Sequence, residues 1–378
     1  MAHDPETRPV PRTLKSELLV ASKAMVSYLQ CLQAGALAAS ILCHGLLIAN
    51  PRDADILRNC REVNGNVVVA LIETANIDLS GPEVIHGNLS GTEQYMSKGT
   101  SLNISSTTLT TVDGHLSISG YGNPAIQNIS FPRLNTVGGT FSLWNLGNLV
   151  YVDITNLHTV GAFDIWAWRL STLKHKELRK IAPAPWNREG IRISETSLES
   201  VDSIFNNNIK VGYASLYGSS ALKRVVVGFN ESASLILSGS PETKQLEVVL
   251  GGESTTSMHI GLISLSGDVA SFQRSSSLQK LTADSFQSYE NHYKHLHLPF
   301  DQLSSLELYR DESLEWISIP PQATQWANFS LRIDHTKANL SSEYMIDEKG
   351  ELVRSWYWPQ RDMFRINIGS GNMTLAFL

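Results

Sequence analysis

Leu109-Thr-Thr-Val112, Leu134-Asn-Thr-Val137 and Leu157-His-Thr-Val160 are one phrase written three times, at steps of 25 and then 23 residues. Looser copies follow at Leu178 with Ile181, Leu198 with Val201, Leu222 with Val225 and Leu246 with Val249. A period in the twenties marks a solenoid, in which each turn of chain is one structural unit. A unit that short cannot bury its own apolar face, so it must stack on its neighbours. A propeller is excluded, because a blade needs about 40 residues or more.

The runs between the phrases set the kind of coil. They include His115-Leu-Ser-Ile-Ser119, Thr140-Phe-Ser-Leu143, Ala162-Phe-Asp-Ile165, Gly190-Ile-Arg-Ile-Ser194, Asn208-Ile-Lys-Val-Gly212, Ser234-Leu-Ile-Leu237 and Met258-His-Ile-Gly-Leu262. Alternation with period two argues a strand with one buried face. Turn residues separate these runs, as at Gly138-Gly139, Asn206-Asn207-Asn208 and Gly251-Gly252. The expected fold is all-β, a right-handed parallel β-helix or leucine-rich-repeat-like solenoid. One strand per turn of 20–25 residues is expected from about residue 46 to 335.

Composition narrows the function classes. The chain has 378 residues, a net charge of -6 and only 17% charged residues, which is no electrostatic footprint for nucleic acid. Seven N-glycosylation sequons occur, at Asn88, Asn103, Asn128, Asn230, Asn328, Asn339 and Asn372. Residues 1–42 read as a leader helix: polar and net basic at first, then small and apolar from Ala24 to Leu42, with a small-x-small cleavage site at Ala36-Leu-Ala38. A cleaved secretory signal, an uncleaved signal anchor and a plain N-terminal helix all fit, and Gln30 and Gln33 weaken the first two.

Residues 43–378 are then the solenoid, with two lobes meeting near 182–189 as one option. Loss of the leader removes Cys31 and leaves Cys43 and Cys60 as a pair suited to an oxidising compartment, where a disulfide would close the open first coil. Two unrelated buried thiols are the alternative. Asp53 is the expected cap of a short helix between them.

The stretch from Asp53 to Val69, with Leu57-Arg-Asn-Cys60 followed by Val63, Gly65 and a strand, resembles the opening of receptor L domains. It is similar above all to the fungal cell-wall-organisation and sporulation-specific surface glycoproteins, in which a first cysteine stands about where Cys43 does. Phe131-Pro-Arg-Leu134, Val137-Gly-Gly139 and Ile193 to Val201 fit the same family, so the resemblance covers roughly residues 43 to 250. It implies a non-enzymatic extracellular protein of the cell surface or wall, heavily glycosylated and usually held by a glycolipid (GPI) anchor. After residue 350 there is neither a Ser/Thr-rich tail nor an apolar segment, so a freely secreted member or a longer chain is expected.

Candidate chemistry is sparse. Asp164 aligns with Ser142 and Ser117 in earlier turns, and Asp113 and Asp153 have no aligned carboxylate, so no catalytic residues are expected. His295 and His297 would share a strand face but lack a third ligand, so no metal or cofactor is expected. The Asn206–Asn208 run reads as a turn or an asparagine ladder.

The candidate binding surface is aromatic. Trp144 and Trp166 fall at one outward position in successive turns, with Trp168 extending the run, and they should stack into a flat strip about 4.8 Å per step. They could instead cover the coil beneath the loop around Trp186. Expected partners are cell-wall polysaccharide or surface proteins, with no nucleic acid, and with a membrane reached only through an anchor at one end. The competing classes are a soluble glycan- or protein-binding receptor module and a β-helix carbohydrate-active enzyme.

Overall fold

The computed structural model describes residues 41–70, 76–92, 102–120, 126–181, 190–240, 246–334, 344–346, 352–354 and 365–368. The expected leader lies outside them up to residue 40, and so does the suggested lobe boundary at 182–189. Strands make up 53% and helix 7%, and they form a parallel β-solenoid of about 11 turns.

One face of the coil is a long parallel sheet built in chain order. It begins with Ile41–Ile48 and Cys60–Val69 and continues through Thr136–Trp144, Thr159–Trp166, Lys210–Tyr217 and Glu231–Ser238 to Ser257–Ser266, Lys280–Tyr289, Gln302–Tyr309 and Ser330–Asp334. Three of its rungs are split into two pieces: Val84–Ile85 with Leu89–Thr92, Thr111–Val112 with Leu116–Ser119, and Lys180–Ile181 with Gly190–Ser194. Phe163 of one rung pairs with Ile191 of the next, so the sheet continues on both sides of residues 182–189.

The expectation of one strand per turn is incomplete. A second face carries short parallel strands, including Leu102–Ser105, Ile126–Ser130 and Tyr151–Asp153, then Arg224–Val227, Leu246–Leu250 and Val269–Arg274. These are two to six residues long, and several break strict alternation, as Val225, Val226 and Val227 are buried in succession.

The repeated phrase is a corner and a strand start. Leu109, Leu134, Leu157 and Leu178 are buried where the chain turns from the short face to the long one. The amides of Leu134 and Leu157 close tight turns onto the carbonyls of Phe131 and Ile154. Val112, Val137, Val160 and Ile181 then pair in register. Further along the same strands run two inward columns. One is Leu116, Phe141, Phe163, Ile191, Ala214, Leu235, Ile263, Phe286 and Leu306. Phe141 and Phe163 stack with ring centroids 5.3 Å apart. Each such side chain contributes about 1.5–3 kcal/mol when removed from water, so stability belongs to the stack and not to any one turn.

Cys43 and Cys60 are disulfide-bonded across 17 residues, with Cα atoms 5.8 Å apart, and the bridge ties the first turn to the second. A loop of that size is worth about 3 kcal/mol through restriction of the unfolded chain. The short helix between them, Pro51–Asp55, is capped by Asn50 and not by Asp53. Asp53 is the third helical residue, and its carboxylate reaches back to the Asn50 amide in a capping box.

Candidate functional site

The outward edge of the long sheet is one register position repeated along the axis. Trp144 pairs with Ser119 and Trp166, Trp166 with Ser194, and the series continues through Tyr217, Ser238, Ser266, Tyr289 and Tyr309. A residue in the left-handed region often follows, such as Asn145, Glu195, Glu290 or Arg310, and swings the chain off the sheet. The aromatic residues therefore stand at the rim of the face, where alternation points them away from the core.

Trp144 and Trp166 do meet, with ring centroids 4.6 Å apart, but at 73°. Trp166 and Trp168 meet at 5.8 Å and 85°. The flat strip expected from the sequence is thus a ridged edge-to-face cluster, the arrangement aromatic quadrupoles prefer. Both Trp166 and Trp168 donate their indole N–H groups to one carboxylate oxygen of Glu195, the former at 2.8 Å. Trp144 and Trp166 are half-buried, whereas Trp168 is 44% exposed and is among the few large exposed apolar side chains of the described residues. The carboxylate holds the rings in place, and its remaining lone pairs stay open to a hydroxyl donor. Trp186 lies outside the described residues.

A second aromatic station sits further along the same edge. Tyr289 and Tyr309 stack at 4.9 Å and 6°, and the Arg332 guanidinium covers Tyr309 at 4.8 Å from the ring centroid. The Tyr309 hydroxyl donates to Glu307 at 2.9 Å. Burial first, and then that hydrogen bond and charge, push the Tyr309 phenol up to about 12.

The bend between the two halves of the early rungs is held by side chains. Asn66 Oδ1 accepts the Asn88 amide at 2.8 Å, Asn88 Oδ1 accepts the His115 amide at 2.7 Å, and His115 Nδ1 accepts the Thr140 amide at 2.9 Å. Each turn thus supplies the acceptor for an amide that the broken sheet ladder leaves over. Glycine is required beside it: a Cβ on Gly114 would lie 2.2 Å from Asn88 Oδ1, and one on Gly138 would lie 2.1 Å from the Asp113 carbonyl oxygen. His86 joins Asp113, at 2.8 Å, to Glu62, at 3.3 Å, across adjacent turns, and these hydrogen bonds raise its pKa. His86 follows Ile85 as Asp113 follows Val112, and Ile85 pairs with Val112, but the phrase copies read from the sequence begin only at Leu109. All three side chains are solvent-exposed, in the manner of a surface ion-pair ladder.

A polar node interrupts the core in the late turns. The second inward column runs Leu216, Leu237, Leu265, then Ser288, then Leu308. Ser288 is fully buried and meets the hydroxyl of buried Tyr293 and the Asn291 amide nitrogen. Asp311 is also fully buried: Oδ1 accepts the Asn291 backbone N–H at 2.9 Å, while Oδ2 has no hydrogen-bond partner. Burial pushes its carboxyl up to about 6, against the pull of its hydrogen bonds.

Other candidates form no binding site. His295 and His297 do share a face of the strand His295–His297, and His292 pairs instead with Asp268. Among the described residues no group of three or more His, Cys, Asp or Glu is placed to hold a metal ion. Asp164 pairs in register with Ser142 and Arg192. Asn207 caps the helix Asp202–Phe205 by donating to the carbonyls of Ser203 and Ile204, so that run is a turn. The asparagine ladder occurs elsewhere, from Asn76 through Asn103 to Asn128. An open groove of about 570 Å³ beside Arg274 is lined by groups already engaged, since Arg274 pairs with Asp301 at 3.0 Å and Asp301 also accepts the Leu281 amide.

Compared with family models, curated proteins and solved structures, the chain matches none. The disulfide is compatible with an extracellular protein. No helix among the described residues is long and apolar enough to cross a membrane.

Proposed function

We propose that this chain is a non-enzymatic, secreted or cell-surface glycoprotein that contributes to cell-wall organisation by binding wall polysaccharide. The observation that carries the reading is the outward cluster of Trp144, Trp166 and Trp168, pinned by Glu195. Indole faces suit the apolar faces of sugar rings, and a carboxylate beside them accepts sugar hydroxyls. Rings already held in place lose little freedom on binding. The resemblance of residues 43 to 250 to fungal receptor L-domain glycoproteins, and the disulfide-closed first turn, support the extracellular setting.

The test is co-sedimentation with insoluble wall glucan, comparing the natural chain with a Trp166→Ala/Trp168→Ala variant. Both are outward, so the variant should keep its Tm within a few degrees. Its binding should weaken by about 1–3 kcal/mol, the scale of lost aromatic anchors. Undiminished binding by a folded variant rejects this surface. Release of new reducing ends from the polymer would move the protein to the carbohydrate-active enzymes.

A further inference from the structure

The sequons are not equivalent in the fold. Asn88 is built into the bend: Oδ1 accepts the His115 amide, and Nδ2 donates to Asn66 Oδ1 at 3.1 Å. On the short face, Asn103 Nδ2 donates to Asn76 Oδ1 at 2.8 Å, and Asn128 Nδ2 donates to Asn103 Oδ1 at 2.5 Å. In all three, the nitrogen that would carry a glycan already links one turn to the next, where turns are about 4.8 Å apart. Asn230 and Asn328 are different. Both are exposed, and neither side chain hydrogen-bonds to a described residue. They sit just ahead of Glu231–Ser238 and Ser330–Asp334, at the leading corner of the long sheet. The aromatic edge lies at the other end of those same strands.

We propose that Asn230 and Asn328 are the glycan-bearing sites of the described chain, that Asn88, Asn103 and Asn128 are structural, and that the glycans line the leading corner and leave the aromatic edge free. Asn339 and Asn372 lie outside the described residues. The modification transfers an oligosaccharide from a polyprenyl pyrophosphate carrier. The bond from the sugar's anomeric carbon to the pyrophosphate oxygen breaks, a bond to Nδ2 forms, and one amide proton is lost. Transfer acts on the unfolded chain, so a glycan on Asn103 or Asn128 arrives before the ladder does and holds adjacent turns apart. The folded, secreted pool is therefore depleted of molecules marked there. The inference rests on the secretory reading above.

The experiment is glycopeptide mapping of the full chain secreted from eukaryotic cells, with single variants. Asn230→Gln and Asn328→Gln should each remove the mass of one glycan and leave Tm unchanged. Asn103→Ala and Asn128→Ala should leave the glycan mass unchanged and lower Tm by roughly 1–3 °C. Majority occupancy of Asn88, Asn103 or Asn128 in the folded pool, or ladder variants of unchanged Tm, overturns the inference while the secretory reading stands. A secreted chain bare at Asn230 and Asn328 overturns it too. A chain that is never secreted and bare at every sequon overturns both.

Discussion

The early turns, up to Thr159–Trp166, and the late turns, from Ser257–Ser266 onward, build the same sheet by different means. Early rungs are split or bent, and their register shifts between Val137 and Thr140. Late rungs such as Ser257–Ser266 and Lys280–Tyr289 pair along their length without a shift. Yet the sequence repeats best in the early turns. A bend needs particular residues at fixed places, namely a glycine for close approach and an asparagine or histidine to catch a spare amide. A straight strand needs only alternation, which many sequences satisfy. Regularity of phrase and regularity of backbone therefore run opposite to each other here.

The two regions should be equal in their cores, and that equality is the largest effect to test. Phe163→Ala in the early turns and Phe286→Ala in the late turns each remove a fully buried ring from the same inward column. Each should cost about 3–5 kcal/mol in equilibrium denaturation. A gap of more than about 2 kcal/mol between them would show that the contrast reaches the core and is not confined to the bend.

The next effect belongs to the late turns alone. The Asp311 carboxyl ordinarily titrates at 3.8 and is pushed up to about 6 in the fold. Because the folded pKa is the higher, the native state favours the protonated acid. Its contribution is fully present below about 3.8 and is lost as pH rises through about 6. Two pKa units correspond to about 3 kcal/mol. Asp311→Asn keeps an acceptor for the Asn291 amide without the charge. It should raise Tm clearly at pH 8 and leave it nearly unchanged at pH 4. A gain independent of pH would show that the carboxylate is not the cause.

The smallest effect belongs to the early turns. Asn88→Ala removes the acceptor of the His115 amide at an exposed hydrogen bond and should cost about 0.5–1.5 kcal/mol. Ser285→Ala, at a half-buried position of the regular late sheet, should fall within about 0.5 kcal/mol of the natural chain. Equal losses would remove the distinction between a stitched bend and a plain strand.

Much of this was legible beforehand. The phrase spacing and the alternating runs located the strands that became Leu116–Ser119, Thr136–Trp144, Thr159–Trp166 and Gly190–Ser194. The short-face strands were not legible, because they are two to six residues long and several, such as Arg224–Val227, do not alternate. The pairing of Trp144 with Trp166 was legible from a common position in successive turns, but Glu195 was missed. It lies 29 residues from Trp166 and follows its own strand as Asn145 follows Trp144. Ser288 could have been found by aligning it with Leu265 and Leu308, the column it interrupts.

The sequence by itself determined the solenoid, the inward columns and the outward place of the tryptophans. These follow from periodicity, and periodicity is a local property of the chain. Only the tertiary structure decided that the rings meet edge to face on one carboxylate and that three sequon asparagines serve as rungs of ladders. It alone decided that Asp311 is buried with one oxygen unpartnered. Each of these depends on which residue of one turn lies beside which residue of the next. Turn lengths vary from rung to rung, so that adjacency is set by stacking and cannot be counted along the chain.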